Sequence, residues 1–130
     1  MKKRLPYWLA LGLLVSWLGC TPHELQPRRS GAKMLNQSEL ESLFLAERTV
    51  EFPIIGGVAT VDYFPDGRQI INWAGGNDTG TFRIRDEEFC STWSRLRNGE
   101  ESCSKIYQIS ETEYEFVGND GASAAIMRLK

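Results

Sequence analysis

Gly80-Thr81-Phe82-Arg83-Ile84-Arg85-Asp86-Glu87-Glu88-Phe89-Cys90-Ser91-Thr92-Trp93 carries the pattern on which the fold of this chain turns. Read as two strands joined by a two-residue turn at Asp86-Glu87, it sets Arg85 opposite Glu88, Ile84 opposite Phe89, Phe82 opposite Ser91 and Gly80 opposite Trp93. Side chains alternate faces along a strand. Phe82, Ile84, Phe89 and Trp93 therefore share one side, and Arg83, Arg85, Glu88 and Cys90 the other. A slip of one residue would mix the two sets, so the hydrophobic pattern specifies the register. The indole of Trp93 is expected over Gly80, and Cys90 on the polar side next to Arg83.

The same short period recurs on both sides of this hairpin. Residues 58–64 alternate and end at Pro65-Asp66-Gly67, a turn in which Gly supplies a positive φ. Strands follow at 68–73, 79–85, 89–95, 103–110, 112–118 and 124–129, with the glycine-rich 74–78 and Asn119-Asp120-Gly121 as turns. Short strands at this spacing, with turns and no helix between them, predict an antiparallel meander of about seven strands. Strongly twisted sheets of that size curl, so a small open or closed barrel is expected. One helix precedes it. Asn36 and Glu39 make a capping box, with Leu35 and Leu40 placed as a hydrophobic staple. Leu40, Leu43 and Phe44 share a face and need a surface to dock on. The class is mainly β (α+β), with the helix plugging one end. One conflict stands in the strand at 103–110. If Cys103 lies outside, so do Tyr107 and Ile109, and Gln108 turns inward, which calls for a bulge or for an outer patch covered by the helix.

Before residue 36 the composition changes. Lys2, Lys3 and Arg4 form a basic start, residues 5–22 carry no charge, and the run ends at Trp17-Leu18-Gly19-Cys20. That layout is a secretory leader, and its end resembles the bacterial lipobox, which implies lipidation of Cys20 and removal of residues 1–19. The alternatives are plain secretion without lipidation and an uncleaved membrane anchor. Residues 20–35, with two prolines and a basic cluster at Arg28, Arg29 and Lys33, read as a flexible tether. Residues 36–130 form the single β-rich domain. By resemblance to lipoprotein sorting, Thr21 implies the outer membrane, with the domain facing the periplasm; a soluble periplasmic or secreted protein is the alternative. Of the 130 residues, 42% are hydrophobic and 25% charged, and the net charge is −2, so nothing suggests a nucleic-acid partner. Losing the basic start takes that charge to −5.

Little chemistry can be built from what remains. The single His, His23, falls in the tether, so no Ser/His/Asp or Cys/His system stands on a rigid scaffold. No metal site and no cofactor is expected. Gly75-Gly76-Asn77-Asp78-Thr79-Gly80 lacks the following helix that a phosphate cradle needs. Among the acids only Asp62 sits mid-strand, where burial could shift its pKa. In an oxidising compartment Cys90 and Cys103 are expected to pair as a disulfide; a redox-active pair is the alternative, without C-x-x-C spacing. Arg83, Arg85, Arg95 and Arg97 read as a salt-bridged face, with a patch for an anionic partner as the second reading.

Gly57, Tyr63-Phe64-Pro65-Asp66-Gly67, Gly80-Thr81-Phe82-Arg83-Ile84, Cys90-Ser91-Thr92-Trp93 and Cys103 are together similar to a family of small secreted proteobacterial proteins of unknown function. The resemblance implies a fold and a disulfide, and no activity. Three functions are carried forward. The first is a non-catalytic envelope lipoprotein, held at the membrane by its lipid, that binds a protein or envelope component. The second is a lipocalin-like carrier of a small apolar ligand, and the third a carboxylate-dependent hydrolase. Candidate binding residues are Trp93, Phe82, Arg83, Arg85 and Tyr114.

Overall fold

The computed structural model describes residues 31–130. The leader, the lipidation site at Cys20 and most of the tether lie outside the described residues. Nine strands and one helix follow in order: β1 Lys33–Met34, α1 Gln37–Phe44, β2 Arg48–Ile54, β3 Gly57–Tyr63, β4 Arg68–Trp73, β5 Gly76–Arg85, β6 Glu88–Trp93, β7 Ser102–Gln108, β8 Glu113–Val117 and β9 Ser123–Leu129. From β2 to β9 each strand pairs antiparallel with the next, and β9 returns to pair with β2. The result is a closed eight-stranded up-and-down barrel. β1 is the extra strand, paired with the far end of β7 through Lys33–Gln108 and Met34–Tyr107.

The central hairpin has the expected register at every position, from Gly80–Trp93 to Arg85–Glu88. Both turn residues are left-handed, Asp86 at φ 53 and Glu87 at φ 61. That is the mirror-image turn whose twist suits a two-residue hairpin. Here it is made without glycine, and the helix helps to hold it: the Glu87 N–H donates to Gln37 Oε1 at 3.0 Å.

The meander is longer than the seven strands expected. β2 is the added strand, starting at Arg48-Thr49-Val50 where the helical pattern ends, and it carries Pro53, a residue that reads against a strand. Val50 and Phe52 nevertheless alternate inward, and all seven β2 residues pair with β3. β5 also starts earlier than expected, at Gly76, so only Ala74-Gly75 turns the chain and Asp78 lies within a strand. Lys33 and Met34, assigned to the tether by sequence, join the sheet, and Leu35 is buried.

The capping box forms as expected. Asn36 Oδ1 accepts from the Glu39 N–H at 2.9 Å, and Glu39 Oε1 accepts from the Asn36 N–H at 2.9 Å. Leu40, Leu43 and Phe44 are buried against the barrel. Phe44 enters the end at which β3 finishes and β6 begins, and meets the rings of Phe89 at 4.2 Å, Tyr63 at 5.1 Å, Phe116 at 6.1 Å and Phe82 at 6.2 Å. Most of these rings pack edge to face or tilted, the arrangement the ring quadrupole favours. Each buried side chain of this size contributes roughly 1.5–3 kcal/mol.

Cys90 and Cys103 are bonded directly across β6 and β7, with their Cα atoms 3.9 Å apart. Closing a loop of this length stabilises a domain by about 3 kcal/mol in the chain-entropy model. The conflict around Gln108 resolves without a bulge, since β7 pairs with β6 and β8 in one unbroken register and ends at that residue. Gln108 points inward at the barrel's end and its Nε2 reaches Tyr114 Oη at 3.4 Å. Tyr107 lies outside, opposite β1 rather than under the helix, and Ile109 falls beyond the strand. The register shift in the barrel is at Phe116/Val117 instead.

Candidate functional site

Helix α1 fills one end of the barrel and leaves the other to a cavity of about 150 Å³. Its floor is the inner faces of Tyr63, Phe89 and Phe116, the rings that Phe44 touches from the helix side. Phe52, Ile71, Trp93 and Ala125 make the walls. Polar atoms are set among these rings. Gln69 pairs with Tyr63 across β3 and β4 and so points inward with it. It is 1% exposed, and its Nε2 donates to Thr81 O at 3.1 Å while its Oε1 has no hydrogen-bond partner. Burying such an acceptor without a partner costs about 1–3 kcal/mol. The Tyr63 hydroxyl is buried too, and burial pushes its pKa up, with Arg97 pulling the other way.

Arg97 comes from the 3-10 turn at Leu96–Gly99, between β6 and β7. Arg97, Asn98 and Gly99 are left-handed in succession, at φ 55, 56 and 72. A non-glycine residue in this region costs of order 1–3 kcal/mol, so the surrounding structure must enforce it. Asp78 does so. Its Oδ2 accepts the N–H groups of Arg95 and Leu96, both at 2.9 Å, and its Oδ1 that of Thr79 at 2.9 Å. These bonds, led by the one from Leu96, hold the Asp78 carboxyl below the usual carboxylate range despite its burial. The anchored turn brings the Arg97 guanidinium back to the cavity, where its Nη2 donates to Ser91 Oγ at 2.9 Å and Ser91 O at 3.2 Å. Burial lowers the pKa of Arg97, and among the described residues no carboxylate pairs with it.

The candidate residues read from sequence separate into two groups. Phe82, Trp93 and Tyr114 are buried inside the barrel, but of these only Trp93 lines the cavity. Arg83 and Arg85 stand outside in ion pairs: Arg83 with Glu101 through two bonds of 2.8 and 2.9 Å, and Arg85 with Asp86 at 3.5 Å. Neither pairs with Glu88, which faces Lys105 at 3.9 Å. The arginine set is thus a salt-bridged face at Arg83 and Arg85, whereas Arg97, itself exposed, bends back to the rim of the cavity. Trp93 pairs with Gly80 as expected, yet the indole is not what requires the glycine. A Cβ there would lie 2.1 Å from the Thr92 carbonyl oxygen, so it is the close approach of the β6 backbone.

Arg97 was noted in the sequence only as one of four arginines, and Gln69 was not singled out. The legible signal for Gln69 was a polar residue opposite inward Tyr63 around the Pro65-Asp66-Gly67 turn. Acid–base chemistry finds no paired carboxylates. The two buried acids of the described residues, Asp78 and Glu115, lie on strands β5 and β8 and point to opposite sides of the wall. Asp62 is on the outside, accepting the Thr49 hydroxyl at 2.5 Å. The grouping of Glu88 with Cys90 and Cys103 has the spacing of a metal site, but its two sulfurs are spent in the disulfide. Comparison with protein-family models, with curated proteins and with solved structures finds no match, so the geometry of the barrel alone carries the functional reading.

Proposed function

We propose that this chain is a non-catalytic, envelope-anchored barrel that holds a small molecule in its open end. The fold is compatible with a lipocalin-like carrier, and one observation favours that reading. The 150 Å³ cavity is walled by aromatic rings and lies in the end of the barrel that the helix leaves open. Eight strands leave an interior just wide enough for side chains or one small ligand, and here the aromatic cluster takes most of it. A dry cavity of about this volume accepts a benzene-sized molecule, so the ligand is small. The lipobox-like Trp17-Leu18-Gly19-Cys20 supports placing the barrel at a membrane surface. A protein-binding role is the second reading. It is favoured by the tip of the β2–β3 hairpin, where Ile54 and Val58 are exposed and Ile55 is fully so.

Toluene titrated into the 15N-labelled full chain tests the cavity. The expected result is saturable shifts confined to Trp93, Gln69, Phe116 and Ala125, abolished by Ala125→Leu. Shifts that do not saturate, or that gather at Ile54 and Ile55, would remove the small-ligand reading and leave the protein-binding one.

A further inference from the structure

Arg97 poses a question that packing does not answer. A guanidinium taken partly out of water loses hydration, and proteins compensate such a charge with a counter-charge or a full set of acceptors. Arg97 has Ser91 on one nitrogen only, and among the described residues no carboxylate. Arg95 at the same end does better: it reaches Asp78 at 3.6 Å and donates to the Asn77 carbonyl. The chain also accepts two consecutive left-handed non-glycine residues, Arg97 and Asn98, and Arg97, although exposed, lines the mouth of the cavity. Gln69 also lines the cavity, but its unpartnered Oε1 is sealed from contact with anything the size of a water molecule. The cavity therefore offers a cationic mouth at Arg97 with aromatic walls behind it.

We infer that the ligand is a small organic anion: a carboxylate held by the Arg97 fork and an apolar body against Trp93 and Phe116. This rests on the small-ligand reading above and narrows it to a chemical class. Arginine suits the task because its planar donors match a carboxylate two at a time.

Isothermal titration of the full chain with 4-hydroxybenzoate, 4-hydroxybenzyl alcohol and benzoate separates the terms. Both acids are expected to bind at least about tenfold more tightly than the alcohol, the worth of one charge-assisted contact. Arg97→Gln removes the preference for the acid, and Arg97→Lys, which keeps the charge and loses the fork, retains part of it. Thermal unfolding of both variants checks that the barrel is intact. Equal affinity for acid and alcohol, or a preference that survives Arg97→Gln, overturns the inference. Saturable toluene binding with no binding of any of the three overturns the anion while the carrier reading stands; failure of toluene as well brings down both.

Discussion

Gly80 and Asp78, two residues apart on β5, show how single positions decide the shape of the open end. At Gly80 a Cβ would stand 2.1 Å from Thr92 O and 3.0 Å from Trp93 Cα, both backbone atoms that cannot turn aside. Gly80→Ala is expected to cost more than about 3 kcal/mol, within the range of severe steric substitutions, read as a fall in the urea midpoint. Gly57→Ala meets nothing within 4 Å and serves as the control, with an effect inside about 0.5 kcal/mol. Asp78 governs the same region through protonation. Its folded pKa is depressed, chiefly by the Leu96 N–H and further by Arg95 and Thr79. The stability it contributes is therefore fully present above the unfolded value near ~3.9 and is lost as pH falls through the folded one. Wild type should lose protection of the Arg95 and Leu96 amides in hydrogen exchange as pH drops below about 4. Asp78→Asn should show that weakness already at neutral pH and lack the acid-side change. Retained protection in the variant would mean that the turn holds itself.

Helix α1, with eight residues, is too short to persist alone, since isolated helices below about 12–15 residues are marginal. Its stability is borrowed from the barrel, and the loan runs through Phe44. Phe44→Ala is expected to lower stability by about 3–5 kcal/mol, with loss of near-ultraviolet dichroism from the aromatic cluster and little change in the far-ultraviolet strand signal. An unchanged melting temperature would show that the helix is not the plug. The elements differ in how openly the sequence declares them. The helix announces itself by Asn36, Glu39 and three spaced apolar residues, all local signals. Strands β3, β4 and β6 follow from alternation alone. β2 is hidden because Pro53 reads as a breaker, although the proline stands just where β2 has already parted from β9. The start of β5 is hidden because Gly75-Gly76-Asn77 looks like a loop, when two residues suffice for the turn. The site is less legible still. Which inward residue becomes a floor and which a wall depends on where Phe44 stops, and Arg97 acquires its direction only from a backbone that Asp78, seventeen to eighteen residues earlier, holds at Arg95 and Leu96.

At the scale of the whole molecule, alternation predicts that the sheet curls, and chain order predicts neighbours. Closure was the open alternative, because no local pattern tells Val50 that Leu129 is its partner. The ring is sealed by two residue pairs, Val50–Leu129 and Glu51–Arg128. Every other junction joins strands adjacent in sequence and so can form early, at little loop-closure cost. The seal alone joins strands far apart in sequence, because β9 follows every other strand of the barrel along the chain. Until β9 is free, the growing polypeptide is a curled ribbon with β2 exposed on one margin, the kind of edge on which strands of other chains can pair. The barrel has an inside only once β9 has been made, so time, as much as space, separates it from the sheet it is made of.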